Sequence, residues 1–400
     1  MLRHLFRLIW NRKRSNVLLL SEIFFSFVVL FGVATLLFNF GRNYLMPFGL
    51  NHQNVWRLNI AAGQGEKMPR ALLTDVLRQV RALPGVQDLT LTSDNTPFRF
   101  ITNNTNFANG DKKIENVDNY DTDDRYAPTM GLQLRAGRWF QASDDAASYN
   151  PAVISQNVSD ALFGPGQPAV GKLFRHHNTV GGPDTAKQFQ VVGVVENVRM
   201  GGDFSEATPS AWVRLAPRDT TAWETAAVLV RVAPGQGAAL QQRMVHTISS
   251  LTRQWSTQVY SLEQDRLDML KPTLAPLVVL ALVALFLVIN VALGLFGVLW
   301  YNISQRRAEI GLRRALGATG PNISQQFLGE VLILTTLGVL GGVLVAAQFP
   351  LLHAFDVDAP VYVQAMLLAT GLIFAVTALC AWQPSRLAAA IQPAVALREE

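Results

Sequence analysis

Cysteine occurs once in the 400 residues, at Cys380. A disulfide within the chain is therefore excluded, and any folded region must hold together by packing. Charge is scarce too, at 16% of residues, and four stretches almost lack it. Residues 17–40, 274–300, 327–349 and 361–382 carry only Glu22 and Glu330 as ionised side chains, and each is 22 to 27 residues long. A helix of about 20 residues crosses the roughly 30 Å hydrocarbon core of a bilayer. The four stretches are read as transmembrane helices, which rules out a wholly water-soluble protein.

Chemistry-bearing motifs are missing as well. Gly166-Gln167-Pro168-Ala169-Val170-Gly171-Lys172 fits GxxxxGK, but Leu173 follows where a P-loop needs the Ser or Thr hydroxyl that holds Mg²⁺. It reads as turn chemistry. His176-His177 has no cysteine or correctly spaced carboxylate nearby and reads as a solvated loop pair. Asp118, Asp121, Asp123 and Asp124 lack the glycine and closing glutamate of a calcium loop and also read as a solvated loop. Ser155 and Ser159 have no G-x-S-x-G elbow around them. The expectation is a non-enzyme with no catalytic residue, metal or cofactor of its own.

What is present is an ordered distribution of charge. The leader, residues 1–16, holds Arg3, Arg7, Arg12, Lys13 and Arg14 and no acid. It precedes an apolar run too long for a signal-peptide core, so the first span, 17–40, is expected to be an uncleaved anchor. The 302–322 loop sets Arg306, Arg307, Arg313 and Arg314 against Glu309, and the 350–360 loop has only Asp356 and Asp358. The positive-inside rule puts both termini (1–16 and 383–400) and the 302–322 loop in the cytoplasm. Residues 41–272 and 350–360 then lie outside. The outer stretch has 23 basic and 22 acidic side chains, a net of +1, so the basic excess belongs to the membrane surface. Nucleic acid is excluded as a partner on that ground.

Two segments of the outer domain share a pattern. Val55–Ile60 alternates like a strand, 69–82 places Leu72, Leu73, Val76, Val80 and Leu83 at helical spacing, and Val86–Thr92 reads as a strand again. At the far end, 227–232 leads through Pro234-Gly235 to a helix over 237–253 and a short strand at Val259–Leu262. Two strand–helix–strand units suggest a ferredoxin-like α+β module. Between them, about 95–220, lies an inserted, β-rich lobe. Its strand candidates are 152–154, 189–195 and 211–215, and its Asn-, Asp- and Gly-rich 102–124 stretch is expected to be loop-heavy or mobile. The fold class is thus membrane α-helical, with four transmembrane helices and a large two-lobed α+β extracytoplasmic domain.

Inside the spans, Gly338-x-x-x-Gly342 permits close helix packing, within the bundle or between subunits. Glu22 either pairs with a basic neighbour near the interface or faces the bundle interior. Asn290 is expected to bond between helices, and Cys380 to serve as a small apolar packing residue. The most informative segment is the elbow at 302–322. A helix over 304–316 would carry Ile310, Ala315 and Leu316 as apolar anchors among its arginines, with Glu309 and Arg313 four apart in the favourable order for pairing. Gly317 and Gly320-Pro321 would break it and start the next helix. A plain snorkelling helix at the lipid surface is the other reading of that spacing.

The wording of this elbow, Arg307-Ala308-Glu309-Ile310-Gly311-Leu312-Arg313-Arg314-Ala315-Leu316-Gly317-Ala318-Thr319, resembles the FtsX-like permease domain of MacB-type ABC transporters. So do Pro384–Ala389 and Gln392–Arg398 after the last span, and Gly137–Phe140, Ala152–Ser155, Ala161–Gly164, Val170–Lys172 and Val191–Arg199 in the outer domain. The resemblance implies an inner-membrane permease whose outer domain is periplasmic. MacB joins an ATPase to this half, and here the chain starts at the leader, so a separate ABC ATPase subunit, two copies per complex, is expected to bind ATP and Mg²⁺. A second permease chain, identical or homologous, is implied, along with a periplasmic adaptor, an outer-membrane channel and surrounding lipid. Arg306, Arg307, Glu309, Ile310, Gly311, Arg313 and Arg314 are the expected coupling residues. ATPase motion transmitted through the spans would drive efflux of a hydrophobic or peptide-like substrate. A regulator of a cell-wall hydrolase and a lipoprotein-extracting permease share this architecture.

Overall fold

The computed structural model describes residues 13–63, 66–93, 95–100, 102–177, 187–215, 224–252, 255–305, 307–316, 318–352 and 357–389. The chain divides into two units, Met1–Arg42 with Leu274–Glu400, and Asn43–Thr273.

The first unit is helical. It is built from α1 (Lys13–Leu45), the later part of α6 (Leu262–Gln305), the short elbow α7 (Arg307–Ala315), α8 (Gly320–Ala346), α9 (Gln348–Leu351) and α10 (Ala359–Ala389). Four of these, α1, α6, α8 and α10, are long and apolar enough to cross a membrane. They are longer than the charge-free runs because helical hydrogen bonding does not stop where polarity changes. Twelve polar and apolar residues from Leu262 belong to the same helix as the second run, so Leu262 opens a helix instead of ending a strand. Ile23, Phe27 and Phe31 of α1 meet Val291 and Leu295 of α6, Val339 of α8, and Tyr362, Ala365 and Ala369 of α10 in one buried cluster, with Cys380 packed at its margin. Thr335 and Thr377 share a hydrogen bond of 3.2 Å between α8 and α10. Leucines such as Leu282, Leu293, Leu344 and Leu379 point outward, as a lipid-facing surface requires.

Small residues set the close contacts here. A Cβ on Gly338 would lie 2.8 Å from Ile23 Cγ2, and one on Gly342 would lie 2.3 Å from the Phe27 ring. The Gly338/Gly342 seam is thus filled by α1 of the same chain. Glu22 takes the interior option: a Cβ on Gly294 would come within 2.6 Å of its carboxylate. Asn290 departs from expectation. Its Nδ2 donates to Phe286 O at 2.8 Å, one turn back in its own helix, because a short amide reaches that carbonyl more readily than a neighbouring helix.

The second unit is an eleven-stranded sheet with helices against it. The strand order is β11-β1-β10-β2-β4-β3-β7-β8-β6-β9, with β5 paired to β8 and β4 also paired to β9. The strands are β1 (Val55–Ala61), β2 (Val86–Thr92), β3 (Asn104–Asn109), β4 (Lys112–Thr122), β5 (Leu134–Gly137), β6 (Asn150–Ser155), β7 (Leu173–His176), β8 (Gln188–Val195), β9 (Ser210–Arg214), β10 (Thr225–Val232) and β11 (Ser256–Ser261). The four strands β11-β1-β10-β2 with α2 (Arg70–Arg81) and α5 (Ala238–Leu251) interleave two β-α-β units. Helix α2 buries Leu73, Val76 and Val80, and α5 buries Leu240, Met244 and Ile248, on one core with Leu58, Ile60, Leu89 and Val228. Each such side chain contributes about 1.5–3 kcal/mol of burial. A second core, around Phe107, Phe174, Phe189, Ile154 and Leu162, belongs to the strands that follow β2 and the helix α4 (Gln156–Phe163), which comes after the short α3 (Tyr126–Met130).

The 102–124 stretch is not loop-heavy. It forms β3 and β4, antiparallel, turning at Gly110 with φ +60°. Its apolar residues are few, but Phe107, Val117 and Tyr120 are fully buried, and three such anchors hold a strand whose other face is polar. The aspartates are accordingly not solvated loop. Asp118 is buried in β4. Asp123 accepts from Leu91 N at 3.0 Å, and burial pushes its carboxyl above the usual range. Asp124 takes Arg214 Nε at 2.7 Å. His176 also leaves the loop reading. It is part of β7, stacked on Phe189 at 4.9 Å between centroids, and burial lowers its pKa. The Gly171-Lys172 turn is as expected: Gly171 N donates to Val191 O (2.7 Å) and leads into β7.

Candidate coupling site

The elbow is placed by its neighbours' ends. Helix α6 is described as far as Gln305, and α8 begins at Gly320 with Thr319 extended before it and Pro321 in its first turn, where proline's fixed φ suits a helix start. Nine residues of α7 lie between. Ile310 is buried there against Ile303 at the end of α6 and Ile323 in the first turns of α8, with Ala318 beside them. Gly311 is buried as well. Ala318 N donates to Arg313 O at 3.0 Å and Leu316 N to Leu312 O at 3.0 Å, which closes the end of α7.

Only one of the three apolar anchors expected in the elbow is an anchor. Leu316 is 80% exposed and Ala315 is exposed. At about 100° per residue, Ala315 and Leu316 fall more than a quarter-turn off the face led by Ile310. Leu316 instead joins Leu312, four residues earlier and 51% exposed, on the opposite face. The inward side of the elbow is thus isoleucine, and its outward side pairs two leucines. The outward leucines are legible in the sequence as an i, i+4 pair once the inward residue is known.

Arg313 is tied to the third span. Its Nη1 donates to Gln326 Oε1 at 2.9 Å, and Gln326 Nε2 donates to Glu330 Oε1 at 3.2 Å. The acid found in the third apolar run thereby ends a polar relay that starts on the elbow. Arg307, Glu309 and Arg314 lie in or beside α7 by backbone, and their side chains are outside what is described. Arg306, Gly317, the leader up to residue 12, Asp356 and the tail from residue 390 are outside the described residues altogether. At the other end of the unit, Arg42 of α1 pairs with Asp358 just before α10. No group of three or more His, Cys, Asp or Glu side chains able to hold a metal occurs among the described residues.

Comparison with known proteins follows the two units. The family model of the MacB-like periplasmic core domain matches residues 23–247, and that of the FtsX-like permease C-terminal matches residues 280–393. The macrolide export ATP-binding/permease protein MacB of Azoarcus sp. (strain BH72) is 25% identical over 370 residues, 84% of this chain and 49% of that protein. MacB 1/2 of Paracoccus denitrificans (strain Pd 1222) is 29% identical over 233 residues, 57% of this chain and 33% of its own. The chain thus spans between a third and a half of these relatives' length. The crystal structure of the periplasmic region of MacB from Actinobacillus actinomycetemcomitans aligns with 57% of this chain and 98% of that one, at 13% identity and a TM-score of 0.38.

Proposed function

This chain belongs to the family of MacB-like, FtsX-like ABC transporter permeases, and from that premise we propose that it converts ATPase motion at the elbow into movement of its periplasmic domain. Family membership implies an ABC ATPase partner. In this reading the ATPase pair acts as two copies on a dimer of permeases in the bacterial inner membrane, with both termini cytoplasmic. ATP and Mg²⁺ stay with that partner, and this chain does no chemistry. The work done is export of a hydrophobic or peptide-like compound, with a periplasmic adaptor and an outer-membrane channel receiving it.

The observation that carries the proposal is the seat of Ile310. Ile310 of the elbow packs on Ile303 of one span and Ile323 of the next, so that a displacement of the elbow is passed to both. The Arg313–Gln326–Glu330 relay adds a second, polar connection to the third span. The outward pair Leu312 and Leu316, flanked by arginines, offers the partner an apolar contact with a charged rim, the arrangement that concentrates binding energy at a small centre. Arg306, Arg307, Glu309 and Arg314 are proposed for that rim.

The test is charge reversal at two positions together, Glu309→Lys with Arg313→Glu, in the complex reconstituted in liposomes. Expected is ATP hydrolysis that continues while export stops, with the spans still folded by protease resistance. Export at the wild-type rate in this double variant would sink the proposal.

A further inference from the structure

The outer domain contains a buried cation that the coupling argument above does not use. Arg199 follows β8 and is 2% exposed. Among the described residues no carboxylate forms an ion pair with its guanidinium. Instead it donates to four backbone carbonyls: Asn43 O, Met46 O, Pro47 O at 3.2 Å and Asp203 O at 2.8 Å. Its carbon stands 4.3 Å over the Phe48 ring, and its own backbone N donates to Phe48 O at 2.9 Å. Burial lowers its pKa, with Asp203 opposing that shift; a guanidinium stays charged regardless.

These acceptors have a meaning. The last carbonyls of a helix have no partner within it, and its C-terminal end carries partial negative charge. Asn43 lies in the last turn of α1 and Met46 just beyond it. Arg199 therefore caps the end of α1 from more than 150 residues away in sequence. The segment after that end is pressed against the same loop. Gly49 has φ +73°, and a Cβ there would come within 2.3 Å of Asn197 O. Asn43 Nδ2 donates to Phe204 O at 3.0 Å, and the Tyr44 and Phe204 rings stack at 5.9 Å.

The same loop grips the chain where it leaves the domain. Asp203, 5% exposed, takes Arg266 Nη1 of α6 at 2.5 Å. Arg266 also holds Glu263 through Nη2 at 2.6 Å and Nε at 3.2 Å, and Glu263 lies 3.1 Å from His52 Nδ1 on the entering segment. Leu262 and Met269 of α6 share a core with Phe48, Val198 and Met200. One short loop, Val198 to Phe204, thus touches both the entering and the leaving segments by polar and apolar contacts.

We propose that Arg199 is the positioning residue of a buckle, Arg199–Asp203–Arg266, that forces the segment entering the outer domain and the helix leaving it to move as one. The proposal rests on the coupling reading for its consequence and on the outer domain alone for its geometry. A stroke delivered to either connector is delivered to both. Without the buckle, the connectors slide past one another and the stroke is absorbed at the base.

The experiment uses the full chain with its ATPase in nanodiscs, Cys380→Ala throughout, with spin labels at Leu45→Cys and Lys271→Cys, both exposed. In the otherwise unchanged protein the label-to-label distance has a single narrow distribution. Arg199→Met is expected to broaden it and to cut export per ATP hydrolysed by about tenfold. Arg199→Lys, which keeps the charge and up to three of the four bonds, is expected to recover part of both. Asp203→Asn, which spares the α1 cap, is expected to broaden the distribution with ATP turnover unchanged, and it keeps the test open should Arg199→Met fail to fold. An unaltered distribution in Arg199→Met and Asp203→Asn overturns the buckle. A broadened distribution with full export per ATP overturns its role in the stroke. Absence of ATP-driven export in the unsubstituted protein would count against the coupling reading, while the distances would still decide the buckle.

Discussion

Gly338 and Gly342 of α8 leave out a side chain where Ile23 and Phe27 of α1 come close, whereas the outer domain brings full charges into its interior. Arg57 makes two bonds to Asp265, at 2.9 and 3.0 Å, with both groups nearly sealed from solvent. Arg214 is held by Asp124 and Asp145 together, and Arg138 by Asp144 at 2.8 and 2.5 Å. In the membrane unit Arg42 pairs with Asp358, beyond the apolar runs. The difference follows from the surrounding medium. Lipid offers no hydrophobic drive between helices, so proximity and dispersion must supply the cohesion. A domain folded in water gets its drive from burial and can use charges to specify which elements meet.

The comparison is broken hardest at Gly342. Gly342→Leu sets a Cβ within 2.3 Å of the Phe27 ring, and overpacking of that kind costs about 3 kcal/mol or more. Loss of protease-resistant membrane unit in detergent is expected, with recovery when Phe27→Ala is added. Gly341→Ala, whose Cβ would meet Phe24 at 3.3 Å, is expected to be mild. If both substitutions behave alike, close approach is not what holds α1 to α8.

Next in size is Arg57→Met. It leaves Asp265 charged and enclosed, at a cost of about 2–3 kcal/mol, read as a lowered urea midpoint of the outer domain. Adding Asp265→Leu should recover most of that loss, because an apolar pair of similar volume removes the stranded charge. A double variant no better than the single would mean that the pair matters for shape and not for charge.

The smallest effect sharpens the comparison through pH. Burial, with Lys187 adding to it, holds His176 below the ordinary 6.5, and burial also holds His52 below it. For such a histidine the unfolded chain binds the proton more readily, so stability is lost as pH falls through 6.5 towards the folded value. The thermal midpoint of the outer domain should drop between pH 7.5 and roughly 5.5, and His176→Gln should flatten part of that slope. The described residues of the membrane unit include no histidine, and its melting should not follow the same curve. An equal slope in both units would remove this distinction.

The sequence shows these two regimes to unequal depth. Uncharged runs betray the four long helices because lipid forbids charge over a whole segment, and periodicity reveals α2 and α5 because each buries a regular stripe. The β3–β4 hairpin is harder to see, since Phe107, Val117 and Tyr120 are its few apolar anchors among asparagines and aspartates. Asn109-Gly110-Asp111 is nonetheless a turn signal of the kind that joins strands. In the elbow the helix and its polarity are legible, but the inward register is not, because Ile310 and Leu316 are equally apolar and only Ile303 and Ile323 decide between them. Arg199 is invisible locally: apart from Asp203, its carbonyl acceptors are some 150 residues distant.

Strands β1 and β11 pair side by side, Trp56 opposite Ser261. The chain therefore enters and leaves the sheet about one strand spacing, roughly 4.8 Å, apart. An unstructured connection of this length between two helices would cost about 5 kcal/mol in closure entropy. Once the sheet forms, that cost is already met, and more than two hundred residues act topologically as a tight turn. Such an insert is a cassette: a change of length in its interior leaves the entering and leaving strands paired.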